Sequence, residues 1–455
     1  MSRPKLIHLL AGFASAPDLE VTGIEMDSRR VSPGDLFLAC KGTGRQHGLD
    51  YLEQAQENGA AAVAWEPVSG IAAPQTELPA IAVPNLSQRA GEIAARFFGH
   101  PAQNLFTVGL TGTDGKTSTT HLIAQTLDRL GTPCAYLGTL GYGRLGHLAT
   151  ASHTTPDAVS LQRTLAHLRE QGIAAAAMET SSHALHQARV AGIQFDVAIL
   201  TNITRDHLDY HGTVEHYAAA KKLLFTHYLC GSAVINRDDP TGAQWLQELS
   251  GIPVAFGLEG ERPASGRYVL ARNLKLHSAG QSFEVDSSWG QARLDSRLLG
   301  RFNAYNLCAA LAAVLIKGVA LGDAVAALAQ ASTVPGRIEG FRGPNSKPLV
   351  VVDYAHTPEA LAQILQAVRA HTQKKLWCVF GCGGDRDRGK RPLMAAAAAQ
   401  YADHVLITDD NPRSEEPEAI VNEILAGLPA GYRARVIHDR AEAIGVAVHG
   451  ADEDD

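Results

Sequence analysis

Cysteine, tryptophan and methionine are scarce in this 455-residue chain, at six, four and four residues. So few thiols cannot build the dense disulfide framework of a small secreted scaffold, and Cys40, Cys134, Cys308 and Cys378 sit in apolar segments that suit buried thiols in a reducing compartment. Long hydrophobic runs are missing as well. Apolar runs such as residues 173–178 fall far short of the roughly 20 residues a spanning helix needs. Nor is there an excess of basic charge: 40 Lys and Arg stand against 47 Asp and Glu, a net charge of −7, which argues against sequence-independent binding to nucleic acid. The opening MSRPKLIHLLAGFASAPDLE has a basic start, but its short apolar stretch runs into acidic residues, unlike an exported leader. The expectation is a soluble, cytoplasmic, monomeric protein with no nucleic-acid partner and no membrane insertion.

What is abundant is core-forming material: 45% of residues are hydrophobic and 19% charged, enough for about three packed domains at this length. Short β-like runs alternate with alanine-rich helical runs, the pattern of α/β layers with parallel sheets. Three blocks are expected. The first, residues 1–88, closes in the loop-rich EPVSGIAAPQTELP and the short strand AIAV. The second, residues 89–334, opens with the helical SQRAGEIAARFF and the strand FTVGLTG, and contains hairpin-like alternation over 256–298. The third, residues 335–455, holds the strands PLVVVDYA, KLWCVFGCGG and HVLITDD between helical segments.

The first chemical signal is the turn from Gly112 through Thr113, Asp114, Gly115, Lys116 and Thr117 to Ser118, set between a strand and the helix STTHLIAQTLDRL. At such a junction backbone N–H groups converge on an anion at a helix N-terminus. Lys116 can reach terminal phosphates and the Thr117 hydroxyl can hold Mg²⁺. Leu110 stands where the strict phosphate-loop pattern has its first glycine, so an ordinary turn with an exposed lysine is the alternative.

A second signal is the apolar strand GIAAAAMET, which ends in Glu179 beside Thr180, Ser181, Ser182 and His183. Open parallel sheets hold ligands at such strand ends. The following strand, FDVAILTNIT, leads into Arg205, Asp206, His207, Leu208, Asp209, Tyr210 and His211. Adjacency of these two strands is expected to bring Glu179 together with one of the histidines near the phosphate turn. Oxygen donors with one imidazole suit Mg²⁺ or Mn²⁺ better than zinc. A helix-capping glutamate and a solvent-facing loop are the structural alternatives, and Lys221 with Lys222 read by default as a solvated pair.

Together the segments TGTDGKT, AMETSSHAL, LTNITRDHLDYHG, GRFNAYNLCAALA, PGRIEGF, VVDYAHTPEAL, FGCGGDRDRGKRPLM and TDDNPRSEEP give the chain a specific likeness. From about Asp27 to Arg440 it resembles the Mur ligases of bacterial cell-wall (peptidoglycan) synthesis, and among them the members that add meso-diaminopimelate to UDP-N-acetylmuramoyl-L-alanyl-D-glutamate. The resemblance implies an α/β protein of three domains: an N-terminal domain holding the uridine nucleotide, a central P-loop ATPase domain with a mainly parallel sheet, and a C-terminal Rossmann-like domain for the incoming amino acid. It implies roles too. Ser28 belongs with the uridine pocket, while His153, Thr154, Thr155, Ser181, Gln187 and Arg189 grip the muramoyl-dipeptide. Glu179 and His207 are matched to metal ligands, and Lys221 to a carbamylated lysine that binds a second Mg²⁺. Asn303, Asn306, Arg337, Asp353, Tyr354 and His356 fall on the nucleotide side.

ATP is then the co-substrate, phosphorylating the D-glutamyl carboxylate to an acyl phosphate that an amine attacks, with Lys116 and Mg²⁺ neutralising charge. Meso-diaminopimelate differs from lysine by a carboxylate at its far end. Arg413 offers a rigid fork for that carboxylate, Asp410 or Asn411 can receive the neighbouring ammonium, Pro412 completes the turn, and Arg386 matches a second arginine on the amino acid. A lysine-adding relative and a nucleotide-binding scaffold without ligase activity are the competing expectations. The sequence ends in HGADEDD, where the resemblance calls for a further apolar strand and a Gly-Lys-Gly-His-Glu loop, so a weakened amino-acid site is expected. Asp114, where the family more often has asparagine, is expected to weaken nucleotide binding by placing a carboxylate beside phosphates, unless it faces Mg²⁺.

Overall fold

The computed structural model describes residues 3–42, 44, 46–151, 153–343, 348–452 and 455. The chain folds into two compact units: Met1–Gly257 with Glu261–Val269 and Ala309–Ala320, and Leu258–Gly260 with Leu270–Cys308 and Leu321–Asp455.

The first unit begins with a parallel sheet of β1 (Gly23–Glu25), β2 (Asp35–Ala39), β3 (Ala62–Trp65) and β4 (Ala80–Ala82), in that order. Alternation along β2 and β3 splits its core. Leu36, Leu38, Ala62 and Ala64 pack with Leu86, Ala90, Ile93 and Ala94 of the helix Leu86–Phe97, whose spacing makes one apolar stripe. Phe37, Val63 and Trp65 meet Leu52 and Ala55 on the opposite face.

The larger sheet of this unit contains β5 (Phe106–Thr111), β6 (Cys134–Gly138), β7 (Gly141–Gly143), β8 (Ala175–Glu179), β9 (Phe195–Leu200), β10 (Leu229–Asn236) and β11 (Val254–Gly257), ordered β11-β10-β9-β5-β8-β6-β7. Its pairs are parallel except for β7, which runs antiparallel to β6. Covered on both faces, its central strands are apolar rather than alternating: Ala175, Ala176, Ala177 and Met178 of β8 are all buried. The expected adjacency of β8 and β9 is corrected here, because β5 lies between them. The sequence order of parallel strands does not fix their spatial order, and a crossover placed the earlier strand in the middle.

The β-rich stretch is β12 (Arg267–His277), whose first three residues belong to the first unit and the rest to the second, followed in the second by β13 (Gly280–Ser287) and β14 (Gly290–Ser296), which are antiparallel. After the helix Leu321–Ala329 come the antiparallel pair β15 (Glu339–Arg342) and β16 (Leu349–Val352). A parallel sheet follows, of β17 (Trp377–Phe380), β18 (His404–Ile407) and β19 (Arg435–Val436), with core residues Phe380, Met394, Val405, Ile407 and Ile424. Among the described residues no helix is long and apolar enough to cross a membrane.

Candidate active site

The turn after β5 is shaped by its glycines. Gly112 has φ 144° and Gly115 φ 80°, both left-handed, and a Cβ on Gly112 would sit 1.9 Å from Thr201 Oγ1. The end of β9 splints the turn: Thr113 N donates to Asn202 O at 2.9 Å, Asp114 N to Asn202 Oδ1 at 3.0 Å, and Thr201 Oγ1 to Asp114 O at 2.6 Å. The helix Lys116–Arg129 starts at once, with its N-terminal amides and dipole facing the turn. Asp114 itself is exposed and Ser118 half-buried.

Lys116 is not the exposed lysine of an ordinary turn. Its Nζ donates to Gly112 O at 2.9 Å and Thr113 O at 2.7 Å, and burial lowers its pKa. Lys221 reaches the same place from the helix Val214–Thr226, donating to Gly112 O at 2.7 Å with its Nζ 4.5 Å from the Tyr217 ring centroid. At 1% exposure it is a buried amine, and burial first, then the charge on Lys116, push its pKa well down. The solvated-pair reading therefore fails for Lys221. Lys222 keeps that character and pairs with Glu248.

Across β5 from this pair, Glu179 ends β8 at 1% exposure. Its Oε1 accepts from Tyr136 OH at 2.5 Å and Thr139 N at 2.9 Å, and its Oε2 accepts from Thr117 Oγ1 at 2.9 Å. Burial and the adjacent carboxylate raise the Tyr136 phenol. The expected substrate residues assemble beside it. Thr154 Oγ1 lies 3.1 Å from Thr139 Oγ1, and Thr155 Oγ1 donates to Glu179 O at 2.8 Å while accepting from Ser181 N at 3.3 Å. Arg189 donates to Thr155 O at 2.9 Å and to Gln187 Oε1 at 2.6 Å, and Gln187 Nε2 donates to Tyr210 OH at 3.0 Å. His153 is exposed. Ser28, in the N-terminal sheet region, is buried and donates to Gln54 Oε1 at 2.7 Å.

The histidines form a cluster of their own. His207, left-handed at φ 50°, places its ring centroid 4.9 Å from that of His183, which lies 4.2 Å from Tyr210 and 5.5 Å from His211. Burial, reinforced by the neighbouring histidines, takes the pKa of His211 down to about 4. Glu179 and His207 share no hydrogen bond among the described residues, and no group of three or more His, Cys, Asp or Glu side chains is gathered there as a metal set. The oxygen donors that fit a hard cation such as Mg²⁺ are the Thr117 hydroxyl and the Glu179 carboxylate beside the phosphate turn.

In the second unit Asn303 and Asn306, at the start of the helix Arg301–Ile316, are buried, with Asn306 Nδ2 donating to Asn303 Oδ1 at 2.9 Å and Asn303 Nδ2 to Leu299 O at 2.7 Å. Arg337, Tyr354 and His356 gather: the guanidinium lies 5.9 Å from the Tyr354 centroid, and the two rings are 5.3 Å apart. Asp353 fixes their loop by accepting from Ile338 N and Ala355 N, both at 2.8 Å. The stretch Asp410, Asn411, Pro412 and Arg413 follows β18, and Arg413 Nη1 donates to Gly384 O at 2.8 Å and Asn411 O at 3.3 Å. Arg386 approaches the same glycine turn, its Cγ and Arg413 Nη1 lying 3.8 and 2.8 Å from where a Cβ on Gly383 would be. Tyr136, Thr139 and Arg391 are site-shaping residues that sequence reasoning passed over. Each acts through a partner distant in the chain, although the spacing of Tyr217, Ala220, Lys221 and Leu224 did hold the signal that Lys221 points inward.

A strand, glycine turn and helix with two lysines converging on the turn define an α/β protein of the nucleotide-phosphate-binding class. Three family models match in succession: the Mur ligase family catalytic domain over residues 20–98, the Mur ligase middle domain over 110–314, and the Mur ligase glutamate ligase domain over 336–455. The UDP-N-acetylmuramoyl-L-alanyl-D-glutamate–2,6-diaminopimelate ligase of Alkalilimnicola ehrlichii is 49% identical over 97% of this chain and 90% of its own. The protein of the same name from Coxiella burnetii is 45% identical over 96% of this chain and 90% of its own. A solved structure of a ligase of that name superposes with a TM-score of 0.82 at 37% identity, covering 100% of this chain and 92% of the other. The chain belongs to the Mur ligase family.

Proposed function

We propose that the chain is an ATP-dependent carboxylate–amine ligase that joins meso-diaminopimelate to UDP-N-acetylmuramoyl-L-alanyl-D-glutamate in peptidoglycan precursor synthesis, releasing ADP and phosphate. The observation that carries this reading is the phosphate turn, with Lys116 and Lys221 on Gly112 O and the Thr117–Glu179 pair on its other side. The names of relatives at 45–49% identity supply the substrates.

In this reading a γ-phosphate rests in the turn from Gly112 to Ser118, where the amides of Thr113 and Asp114 are already held by Asn202, and Lys116 stabilises charge as the D-glutamyl carboxylate oxygen displaces ADP. Thr117, Glu179 and His207 would hold Mg²⁺, which supplies charge neutralisation at the phosphates. A buried amine with a lowered pKa is available as a nucleophile, and we assign Lys221 the family's carbamate: its neutral nitrogen adds to carbon dioxide, forming the N–C bond and releasing one proton. His153, Thr154, Thr155, Ser181, Gln187 and Arg189 hold the muramoyl-dipeptide, Ser28 the uridine part, and Asn303, Asn306, Arg337, Asp353 and His356 the nucleotide. Arg413 and Arg386 receive the distal carboxylate of the amino acid, with Asp410 and Asn411 on its ammonium and Pro412 shaping the turn. Domains at 1–88, 89–334 and 335–455, a cytoplasmic location and a monomeric state belong to the same proposal, as do roles in cell shape, cell division and the cell cycle.

The test is phosphate release from purified protein with ATP, Mg²⁺ and the nucleotide-linked dipeptide, run over an amino-acid panel. Turnover with meso-diaminopimelate and not with lysine is the expected result. Preference for lysine overturns the Arg413 assignment, and nucleotide binding without any product overturns the ligase reading.

A further inference from the structure

Arg391 is a buried cation in an unfavourable place. It is the second residue of the helix Lys390–Tyr401, where the helix dipole is positive, and its side chain is 0% exposed. Such a charge is retained only against closely matched acceptors, and an apolar residue of similar volume would ordinarily cost less. Two of its three acceptor residues, Gly383 and Glu415, belong to the loops that carry the two arginines assigned to the amino acid, and the third, Glu423, lies on the helix Pro417–Leu425. Nη2 donates to Gly383 O at 3.2 Å and to Glu415 Oε1 at 2.7 Å, while Nη1 donates to Glu415 Oε2 at 2.9 Å and Glu423 Oε2 at 2.7 Å. Glu415 Oε1 in turn accepts from Asp385 N at 2.6 Å. One forked pair therefore grips the 383–385 turn by a carbonyl at one end and an amide at the other.

The same two loops are stitched further along. Gly384 N donates to Asn411 O at 3.1 Å, Ser414 Oγ to Asp385 Oδ1 at 2.6 Å, and Arg413 Nη1 to Gly384 O at 2.8 Å. Asp385, Asn411 and Arg413 all hold left-handed backbone, at φ 53°, 46° and 54°, a conformation that Asp and Asn tolerate but that is strained for Arg413. A Cβ on Gly384 would lie 1.8 Å from Pro412 O, so the loops touch with no slack.

We infer that Arg391, acting through Glu415, is the positioning residue that fixes where the Arg413 fork points and so sets the preference for a zwitterionic amino-acid end over a bare ammonium. The inference rests on the proposed role of Arg413. Glu423 also binds Arg391, but it lies on the helix Pro417–Leu425, and its other partner is Arg388, outside both the 383–385 turn and the 410–413 stretch. A positioning role and a merely structural one therefore part company between Glu415 and Glu423.

Steady-state kinetics of Arg391→Lys, Glu415→Gln and Glu423→Gln in the full chain test this. Lysine keeps the charge and loses the fork. Arg391→Lys and Glu415→Gln are expected to raise KM for meso-diaminopimelate by roughly 10- to 100-fold, the usual cost of losing a partner that orients a contacting side chain. Their kcat and KM for ATP are expected to stay within about twofold, and discrimination against lysine to shrink, since only amino-acid binding is touched. Glu423→Gln is expected to remain near the parent. An unchanged KM for meso-diaminopimelate in a folded Glu415→Gln overturns the inference, as does equal damage from Glu415→Gln and Glu423→Gln. If the parent protein ligates meso-diaminopimelate while these variants behave like it, this inference alone falls. If the parent ligates none, the proposed function falls with it.

Discussion

Lys116 and Lys221 donate to one acceptor, the carbonyl oxygen of Gly112, at 2.9 and 2.7 Å. Two ammonium groups on one carbonyl repel, and the deeper amine bears the cost: burial and the charge of its neighbour both favour the neutral form of Lys221. On the proposed function, Lys116 would be the cation that meets phosphate and Lys221 the nitrogen free for carbamate formation.

Replacement of Lys116 by alanine is expected to lower turnover by roughly 10²-fold or more, the scale for losing a group that stabilises transferring charge. A normal rate in a phosphate-release assay rejects the phosphate-turn assignment.

Protein equilibrated with ¹³C-bicarbonate is expected to show a carbamate carbon resonance that is absent from Lys221→Arg and present in Lys222→Arg. Lys222 is the internal control, being held at the surface by Glu248. A spectrum identical in all three proteins refutes the modification.

Tyr136→Phe removes the 2.5 Å hydrogen bond to Glu179 while leaving the ring in the core. A loss of about 1.5–3 kcal/mol is expected for a bond to a carboxylate, together with a higher Mg²⁺ concentration for half-maximal activity. Urea unfolding and a Mg²⁺ titration read the two effects, and an unchanged Mg²⁺ requirement removes Tyr136 from the site.

How far these features were readable in advance depended on how local they are. The phosphate turn is contiguous, so strand, glycines, lysine and helix could be seen together. Glu179 could be placed at a strand end, but its neighbours could not, since Tyr136 on β6 and Thr139 just after it reach Glu179 from some 40 residues earlier in the chain. The same limit produced the misplaced adjacency of β8 and β9, because parallel pairing is decided by crossovers and not by order. Arg391 lies in the basic stretch RDRGKRP, where composition reads as solvent-exposed, and only the two glutamates from beyond β18 turn it inward.

His371 supplies a pH dependence within the second unit. Its Nε2 accepts from Gly300 N at 2.7 Å and its Nδ1 donates to His277 O at 2.9 Å, so the neutral ring is the form that fits. Burial, with His277 nearby, holds its pKa below the ordinary 6.5. The unfolded chain then takes up the proton first, and the stability this ring contributes is complete above that value and declines as pH falls below it. The midpoint of urea unfolding is expected to drop between about pH 7.5 and about pH 5.5 by more in the parent than in His371→Gln. Equal drops refute the assignment.

Arg413→Ala is expected to raise KM for meso-diaminopimelate with little change for ATP, by roughly 10-fold or more for a lost charge-assisted fork. Equal damage to both constants points to misfolding of the glycine turn instead.

Since β5 is laddered to β8 on one side and β9 on the other, it has no free edge over which to slip or fray. Glu179 ends the strand on one flank, and Thr201 and Asn202, which brace the glycine turn, follow the strand on the other, so all three are tied to β5 through main-chain ladders. On the proposed reading an arriving nucleotide would meet a preset anvil, with the two left-handed glycine joints at 112 and 115 setting the curve of the turn against it.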